Sequence, residues 1–587
     1  MATPVDSRQT LSDALRQHQA GRLAEAEASY RVVLKDDPAN PDALHLLGVL
    51  RHQQGDSAAA ESLIRQAIAI NPNAPMFHNN MGKTLAEKGD RPGALASYRR
   101  AIELAPDYAE AHYNHGVCLQ ADGDYVAAEA AYRRALGLAP ANDKAAVNLG
   151  AALLGQGRPQ EAILALRHAL TVKPDDADTY RLLLTALLYD PTADAGTYAA
   201  EHRRFAGQFA ALRAPAPAPA NPRDPERRLR IGWVSSDFRD HPVARNLEPI
   251  FTHRDRSRFE TVCYAEVAKP DATTARYKSL ADSWRSIVGR TDRDVAELIR
   301  SDGIDILIIL AGRFDHNRPL IAAYRPAPIQ ISFHDPGTSG LSAIDYLIAD
   351  PVLAPPRTDE AFAERILYLP SFYIHEPLRD APPVGPPPSA VAGHVAFGSF
   401  NNPVKVNDSV LGLWGGILRQ VPRSRLQLKY RNRFGPLRGR IDRVLAAESV
   451  AADRLELSDE ALAHAGHLAL YNRIDIALDP FPFTGSTTTF EALWMGVPVV
   501  TLAGRTMASR WSASILHALK LDELIAHSLA DYVAKAVALA NDLPRLAELR
   551  STLRARVANS PLCDGRGRTR QIERLLRAVW RRWCDPR

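Results

Sequence analysis

A dense run of hydroxyl side chains follows an apolar stretch in the last third of the chain. Residues 486–489 read Ser-Thr-Thr-Thr; they come after the apolar run 474–478, and apolar side chains recur at helical spacing over 490–497. Hydroxyls at a helix start bring backbone N–H groups and the positive end of the helix dipole to one point. The pattern favours a diphosphate-binding site.

The same residues permit a second interpretation. Thr488 and Glu491 stand three positions apart, which is the spacing of a capping box that needs no ligand. From the residues alone, both interpretations stay open.

A lysine and two amides follow another apolar run. Asn401, Asn402 and Lys405 come after a strand predicted to end near Ser399. A lysine at the carboxyl end of a strand can neutralise the charge of a leaving diphosphate. Many lysines in such positions are exposed and inert, so Lys405 becomes a candidate only together with the hydroxyl segment.

A histidine follows the first strand predicted in the second half of the chain. Residues 235–242 read Ser-Ser-Asp-Phe-Arg-Asp-His-Pro, which places His241 in the loop after the strand. The imidazole could contact a sugar or take a proton. The alternative is a loop histidine with no role.

Short apolar runs alternating with helical stretches would position these residues. The predicted buried strands are 230–234, 261–264, 304–310, 328–331, 346–349, 394–398, 426–429, 474–478 and 497–501. They fall into two groups separated by a proline cluster at 382–388. Two parallel α/β lobes imply a cleft, with ligands at the carboxyl ends of the strands.

The first third of the chain repeats with a period of 34 residues. Three series keep this step: Pro38, Pro72, Pro106, Pro140 and Pro174; Gly21, Gly55, Gly89, Gly123 and Gly157; and Ala26, Ala60, Ala94, Ala128 and Ala162. This period predicts helix-turn-helix repeats of tetratricopeptide type. Small residues such as Gly48 and Gly82 are expected where the two helices of a repeat approach closely.

One polar series lies on the helix predicted to line the groove of such an array. Asn80, Asn114 and Asn148 occupy the sixth position of repeats three to five. A ladder of amides could hold the backbone of an extended polypeptide without reading its sequence. Alternatively, the three residues bridge or cap neighbouring helices.

These observations divide the chain into six segments. We expect five tetratricopeptide repeats at 7–176, a helical cap at 177–210, an Ala/Pro linker at 211–226, a first Rossmann-like lobe at 227–380, a proline-rich connector at 381–393, and a second, nucleotide-sugar-binding lobe at 394–587. The basic tail from Arg566 should form a helix that packs back on the lobes, with a role at a membrane surface as the alternative.

Composition excludes several classes of protein. The 587 residues carry a net charge of +5, so no nucleic acid or anionic membrane is demanded as a partner. Four scattered cysteines argue against a disulfide framework and a structural zinc site. No signal-like segment or long apolar run is evident. These features indicate a cytoplasmic protein without a membrane span.

Taken together, the motifs resemble those of the protein O-linked N-acetylglucosaminyltransferases, including bacterial homologues. The resemblance rests on the repeat array followed by Ser235–Phe238 with His241-Pro242, Arg325–Gln330, Pro336–Gly340, Phe400-Asn401 with Lys405, and Gly485–Trp494. It implies a two-lobed transferase of the B type that is inverting and independent of metal. No cofactor is implied beyond the donor, UDP-N-acetylglucosamine, and the acceptors would be Ser or Thr of proteins held by the repeats.

The resemblance also implies roles for single residues. Lys405 would stabilise the departing nucleotide diphosphate, and His241 would act as a base or contact the sugar. The donor-binding residues would be Asn402, His467 near the base, Ser486 where animal enzymes have histidine, Thr487 and Thr488 at the phosphates, and Glu491 at the ribose. Asn80, Asn114 and Asn148 would bind the acceptor backbone.

Two segments depart from the family pattern. Residues 312–315 read Gly-Arg-Phe-Asp where an aromatic residue or histidine usually follows the glycine, and residues 332–335 read Ser-Phe-His-Asp in place of Trp-Leu-Gly-Tyr. Both segments are expected to border the sugar and acceptor side of the cleft. The donor could therefore be GDP-fucose or a sugar used on bacterial flagellins or adhesins. A third alternative is a scaffold whose lobes have lost catalysis.

Overall fold

The protein is described here by a computed structural model that covers residues 7–212, 219–429, 435–460 and 462–585. Its residues fall into two compact units, 1–156 with 164–173, and 157–163 with 174–587. Much of the predicted Ala/Pro linker, residues 213–218, lies outside the described part of the chain.

The first unit is built from helices that pack as consecutive pairs. They are α1 (Ser7–Gln19), α2 (Leu23–Asp36), α3 (Pro41–Gln53), α4 (Ser57–Ile70), α5 (Pro75–Glu87), α6 (Arg91–Leu104), α7 (Ala109–Ala121), α8 (Tyr125–Leu138), α9 (Asp143–Gly155) and α10 (Pro159–Val172), the last divided between the two units. Each predicted repeat therefore supplies two helices, and the repeating proline comes two residues after the second one ends.

Glycine allows the close packing within a repeat. A β-carbon on Gly82 would lie 2.6 Å from Cε1 of Tyr98, and one on Gly116 would lie 2.7 Å from Cε1 of Tyr132. Both tyrosines are buried. The first helix of these repeats thus has no room for a side chain where the aromatic ring of the second helix fills the core, as the sequence predicted.

The second unit begins with two helices and a seven-stranded parallel sheet. The helices are α11 (Ala177–Tyr189) and α12 (Ala195–Gln208), which lie in the segment predicted as a cap. The strands are β1 (Leu229–Ser235), β2 (Phe259–Ala265), β3 (Ser283–Ser286), β4 (Ile306–Leu310), β5 (Ile329–Phe333), β6 (Tyr346–Ala349) and β7 (Arg365–Tyr368), in the order β3-β2-β1-β4-β5-β6-β7. The strand order reverses between β1 and β4, which creates a crevice at their carboxyl ends.

Helices α13 (Pro242–His253), α14 (Ala272–Leu280) and α15 (Asp292–Ser301) connect the strands of this first sheet. The central strand β4 is a run of Ile and Leu that is buried along its whole length, and β1 is buried except at Arg230. A parallel sheet covered on both faces requires such runs.

A second parallel sheet of six strands follows the proline-rich connector. Its strands are β8 (Ala396–Ser399), β9 (Arg425–Lys429), β10 (Leu455–Ser458), β11 (Ile476–Leu478), β12 (Val499–Leu502) and β13 (Ile525–Ala526), in the order β10-β9-β8-β11-β12-β13. This is the doubly wound order of a dinucleotide-binding domain, with its reversal between β8 and β11. The predicted fold class, a helical repeat array followed by two Rossmann-like lobes, is confirmed.

The helices of this part are α16 (Pro388–Ala392), α17 (Asp408–Gln420), α18 (Gly435–Ala447), α19 (His464–Ala469), α20 (Thr487–Trp494), α21 (Trp511–Ala518), α22 (Leu529–Asn541), α23 (Leu543–Ala558) and α24 (Gly565–Cys584). Helix α24 returns to the first lobe, where Thr569 Oγ1 donates to the Pro249 carbonyl of α13 and Trp580 Nε1 donates to the Asp224 carbonyl. The basic tail packs back as predicted. None of the helices in the described residues is long and apolar enough to cross a membrane.

Candidate functional site

Lys405 lies at the point where the strand order of the second sheet reverses. It ends a 3-10 turn, Pro403–Lys405, that follows β8. Its Nζ donates to the Thr484 carbonyl at 2.8 Å and lies 4.0 Å from the ring centre of Phe483. Both partners belong to the loop between β11 and α20, so Lys405 joins the two loops that flank the crevice.

The surroundings of Lys405 change its acidity. Burial lowers the pKa of its ammonium group to about 8, although the Asp479 carboxylate acts in the opposite direction. The charge is poorly solvated here because aromatic carbon covers one side of it. Such a cation gains more from an arriving diphosphate than one already surrounded by water.

The hydroxyl segment starts helix α20. Ser486 is the N-cap residue, and no side chain caps this helix end. Thr488 Oγ1 instead donates to Asn401 Oδ1 at 3.0 Å, and Tyr373 OH donates to Thr487 Oγ1 at 3.4 Å. The capping-box interpretation is therefore wrong, and the first turn keeps its N–H groups free of side-chain caps for a ligand.

The buried carboxylate of Asp479 anchors the loop that precedes α20. Asp479 Oδ1 accepts a hydrogen bond from the Gly485 N–H at 2.8 Å, and its Oδ2 accepts one from Thr501 Oγ1 at 2.7 Å. A β-carbon on Gly485 would lie 2.5 Å from Thr489 Oγ1 and 2.9 Å from Asp479 Oδ1. Only glycine fits this tight approach, which fixes where α20 begins.

Asn402 stays close to the same crevice. Its Oδ1 accepts a hydrogen bond from the Val404 N–H at 3.1 Å and so caps the turn that carries Lys405. The structure thus gives Asn402 a positioning role toward Lys405. Its predicted contact with the donor stays a prediction.

Glu491 is buried in a network of histidines. His464 Nε2 lies 2.9 Å from Glu491 Oε1, and His467 Nε2 lies 3.2 Å from Oε2. Lys429 Nζ donates to His467 Nδ1 at 2.7 Å, so the ring proton of His467 sits on Nε2 and donates to Glu491. Burial raises the pKa of Glu491, but hydrogen bonds from His464 and His467 outweigh it and lower the value to about 2.

This network bears on the predicted contacts of Glu491 with the ribose and of His467 with the base. Both carboxylate oxygens of Glu491 already accept hydrogen bonds from protein, so a ribose would have to share them. The sequence did not single out His464 or Lys429. Histidines at i and i+3 on α19 were the available signal, because that spacing places both on one face of a helix.

His241 lies at the carboxyl edge of the first sheet, as the N-cap residue of α13. Its Nδ1 accepts a hydrogen bond from the Val243 N–H at 3.3 Å, and its Nε2 lies 3.3 Å from Asp315 Oδ2. The hydrogen bond from His241 lowers the pKa of Asp315. Both ring nitrogens are therefore engaged, so neither is free to take a proton in this arrangement. The predicted contact of His241 with the sugar stays a prediction.

The loop that carries Asp315 also reaches the second lobe. Phe314 stacks on Phe483 with ring centres 6.0 Å apart and an angle of 15° between the rings, and Tyr189 of α11 packs on Phe483 at 5.8 Å. Because the Phe483 ring also lies under Lys405, these contacts connect the His241 side of the cleft to the Lys405 side.

One group of side chains has the composition of a metal site. Among the described residues, Asp237, His241 and Asp315 place one ligand atom each within 4.8 Å of one another. Protein donors already engage all three: Asn317 Nδ2 donates to Asp237 Oδ2, Arg239 pairs with Asp315, and the Val243 N–H donates to His241. We assign no metal to this group, so the expected metal independence stays a prediction.

The two segments that depart from the family pattern contact each other. Arg313 Nε donates to Asp335 Oδ1 at 2.8 Å, and Arg313 Nη2 donates to the Thr338 carbonyl at 2.6 Å. The side chains of Arg313 and Asp335 are 4% and 2% exposed. Burial raises the pKa of Asp335 to about 6, although Arg313 acts in the opposite direction. Both segments nevertheless line a cavity of about 450 Å³ beside α11, to which Gly312, Arg313 and Asp335 contribute. Their expected position at the sugar and acceptor side of the cleft stays a prediction.

The three asparagines of the repeat unit lie half-buried on α5, α7 and α9. Their Nδ2 atoms contact the preceding repeat: Asn80 meets His45 Nε2 at 2.8 Å, Asn114 meets Asn79 Oδ1 at 3.0 Å and Asn148 meets Tyr113 OH at 3.3 Å. Bridging of neighbouring repeats is thus observed. Among the described residues, no side-chain oxygen of the three has a hydrogen-bond partner, so binding of an acceptor backbone stays a prediction.

The repeats and the two-sheet region both match known protein families. A model of glycosyl transferase family 41 matches residues 211–378 and 389–572, which include both sheets. The chain belongs to glycosyl transferase family 41. Tetratricopeptide repeat models match residues 17–83, 79–143 and 119–187, so the family 41 region follows a repeat array of the predicted type.

Individual relatives agree with the family 41 assignment. The chain is 38% identical over 421 residues to the probable UDP-N-acetylglucosamine–peptide N-acetylglucosaminyltransferase SPINDLY of Petunia hybrida, and 39% identical over 420 residues to that of Oryza sativa subsp. japonica. Each match covers 70% of this chain and 45% of the relative, so the chain spans about half the length of these proteins.

A solved structure covers more of the molecule. A mutant of the Thermobaculum terrenum O-GlcNAc transferase is 36% identical, with a TM-score of 0.78 over 87% of this chain and 98% of the other. This match extends the similarity of fold beyond the region that the family model covers.

Proposed function

We propose that this family 41 chain is an inverting protein O-glycosyltransferase that moves N-acetylglucosamine from UDP-N-acetylglucosamine to Ser or Thr side chains. The observation that carries the proposal is the contact of Lys405 with the loop that leads into α20, at the β8–β11 crevice. A cation and an uncapped helix start meet there, as a nucleotide diphosphate requires. The similarity to probable UDP-N-acetylglucosamine–peptide N-acetylglucosaminyltransferases supports this donor and this reaction.

In the proposed reaction the acceptor oxygen attacks the anomeric carbon and the bond to the diphosphate breaks. UDP leaves with the bonding electrons, and the proton of the hydroxyl passes to water. The developing charge would lie between the Lys405 ammonium and the N–H groups of the first turn of α20, with Thr487 and Thr488 beside it. Electrostatic stabilisation by groups already in place is the main contribution of such a site.

The remaining residues would hold the parts of this site in place. Asp479 and Gly485 set the start of α20, and the Glu491 network ties α20 to α19 and to the end of β9. His241 would contact the sugar or the acceptor from the first lobe. No step of this account uses a metal ion or a cofactor other than the donor.

We further propose that the repeats hold the protein acceptor and that the reaction takes place in the cytoplasm. The tetratricopeptide array supports the first point, because stacked helix pairs form an extended surface that binds polypeptides. The free amide oxygens of Asn80, Asn114 and Asn148 are the groups that could accept hydrogen bonds from a backbone.

Transfer can be tested with purified protein and a library of Ser- and Thr-containing peptides, with UDP-N-acetylglucosamine and GDP-fucose offered separately. Mass spectrometry should show addition of N-acetylhexosamine from the UDP donor. Transfer of fucose alone would replace the proposed donor. Binding of neither nucleotide, by calorimetry on the same folded sample, would favour the scaffold interpretation.

A further inference from the structure

A strongly basic groove runs along helix α24, away from the residues assigned to the donor. It has a volume of about 710 Å³ and lies between α24 and the segment 252–258, which comprises the end of α13 and the loop after it. Two acidic residues, Asp255 and Glu573, line it together with six arginines: Arg258, Arg566, Arg570, Arg574, Arg577 and Arg581.

Three arginines of the groove form a row on the exposed side of α24. Arg566, Arg570 and Arg574 are exposed and stand four residues apart, so they form one row on α24. None of the three makes a hydrogen bond or an ion pair within the described part of the chain. Like charges at this spacing repel each other and destabilise a helix. A bound anion would remove this repulsion.

The two acidic residues offset only part of the charge of the row. Burial raises the pKa of Glu573, and Arg570 acts in the opposite direction. Glu573 Oε1 accepts a hydrogen bond from the Asp255 N–H at 2.6 Å, and Asp255 Oδ1 accepts hydrogen bonds from the Ser257 N–H and hydroxyl at 3.0 and 2.6 Å. Both carboxylates are thus used to hold the loop after α13 against α24. The arginine row still faces the groove.

A buried arginine at the same groove supplies a second observation. Arg577 is 4% exposed, and its Nη1 donates to the carbonyls of Pro225 and Arg227. Its Nε and Nη2 atoms are buried and have no hydrogen-bond partner among the described residues. The Cζ atom of Arg577 also lies 5.4 Å from the ring centre of Phe259. Buried donors without hydrogen-bond partners are uncommon in folded proteins, and these two belong to a residue that lines the groove.

The other lining residues narrow the chemistry of the occupant. The described residues of the groove include no Phe, Tyr or Trp, so stacking of nucleic-acid bases has no platform there. Ala578 is the sole aliphatic side chain among them, so the surface offers little that could enter a bilayer. Asp255 and Glu573 would repel a polyanion that carries a negative charge on every unit. A polypeptide can instead place neutral residues beside these two carboxylates.

We propose that this groove binds an extended acidic segment of a partner protein. From Arg566 to Arg581, α24 is about 22 Å long at 1.5 Å per residue. An extended polypeptide of about six or seven residues spans that length. Its Asp, Glu or phosphorylated side chains would pair with the arginine row, which presents several N–H donors per residue. This binding does not depend on glycosyl transfer.

The test measures fluorescence anisotropy of a labelled ten-residue peptide of alternating Glu and Ser with the full chain. A triple variant, Arg566→Gln with Arg570→Gln and Arg574→Gln, removes the row. The matched control, Arg203→Gln with Arg204→Gln and Arg357→Gln, removes the same charge from exposed arginines outside the groove. We expect the unaltered chain to bind the peptide saturably. The affinity should fall at least tenfold in the first variant and less than twofold in the control. Added salt should weaken binding of the peptide to the unaltered chain.

The same titration is repeated with a ten-nucleotide single-stranded RNA and with vesicles containing an anionic phospholipid. Equal binding of the peptide by both triple variants, or no binding by the unaltered chain, would overturn the proposal. Tighter binding of RNA or vesicles that also depends on the arginine row would overturn the choice of an acidic polypeptide. Melting temperatures of the three proteins show whether the fold is retained.

Discussion

Arg313 and Asp335 form a buried ion pair between the ends of β4 and β5, with 2.8 Å from Nε to Oδ1. Each residue belongs to a segment in which the chain departs from its family pattern. The two departures are complementary, because either charge alone would be buried without the opposite charge that it contacts. They are therefore one structural change and do not indicate two independent losses of function.

The pair should behave as a unit in stability measurements. Arg313→Met leaves the Asp335 carboxylate buried and unpaired, and we expect a loss of about 3–5 kcal/mol in the free energy of unfolding. Adding Asp335→Leu should recover part of that loss, since no charge then remains. Chemical denaturation of the two single variants and the double variant gives the coupling free energy between Arg313 and Asp335. Strictly additive losses would show that the pair does not interact.

The acidity of Lys405 predicts how activity depends on pH. The ammonium form is the one that stabilises the diphosphate, and its pKa is lowered to about 8 by burial. The charged form is lost as the pH rises through this value, so kcat/KM should fall tenfold per pH unit above about 8. Any residual activity of Lys405→Arg should lack this fall, because arginine stays charged.

The Glu491 network predicts a coupling between α19 and donor binding. His464→Ala leaves Glu491 Oε1 buried without its donor, which should cost about 1–3 kcal/mol of stability and weaken UDP binding. His517→Ala is the matched control, since His517 pairs with Asp522 in an exposed position. Thermal melts and calorimetry with UDP measure both effects. Unchanged UDP affinity in a destabilised His464→Ala protein would limit the network to a structural role.

The proposed acceptor-binding role of Asn80, Asn114 and Asn148 can be separated from their bridging of neighbouring repeats. Replacement of Asn80, Asn114 and Asn148 by alanine should weaken transfer to protein acceptors more than hydrolysis of the donor. The control variant Asn40→Ala with Asn142→Ala removes two helix caps of the same unit, at about 1 kcal/mol each. If ladder and control variants lower transfer equally, the ladder has no acceptor-binding role.

The sequence predicted the centre of each sheet but none of its edges. All four strands that were missed are edge strands: β3, β7, β10 and β13. Three of them are partly exposed and carry polar residues, as in Ser283–Ser286, and the fourth has two residues. An edge strand is buried on fewer sides and does not need the apolar run that identifies a central one.

Those parts of the site that lie close together in the sequence could be predicted from it. Lys405 and the start of α20 were found because a lysine or hydroxyls stand in the loop or helix start after a strand. The contacts that decide their chemistry join distant segments: Lys405 with Thr484, Thr488 with Asn401, and Glu491 with His464. The spacing of residues within one element holds no information on such contacts, so Thr488 and Glu491 resembled a capping box.

The central claim is that Lys405 stabilises a departing nucleotide diphosphate. The most direct test compares single-turnover transfer from UDP-N-acetylglucosamine by the unaltered chain and by Lys405→Ala, with melting temperatures of both. We predict a loss of transfer on the order of a hundredfold or more at an unchanged melting temperature. Transfer at the unaltered rate by the folded Lys405→Ala protein would contradict the account.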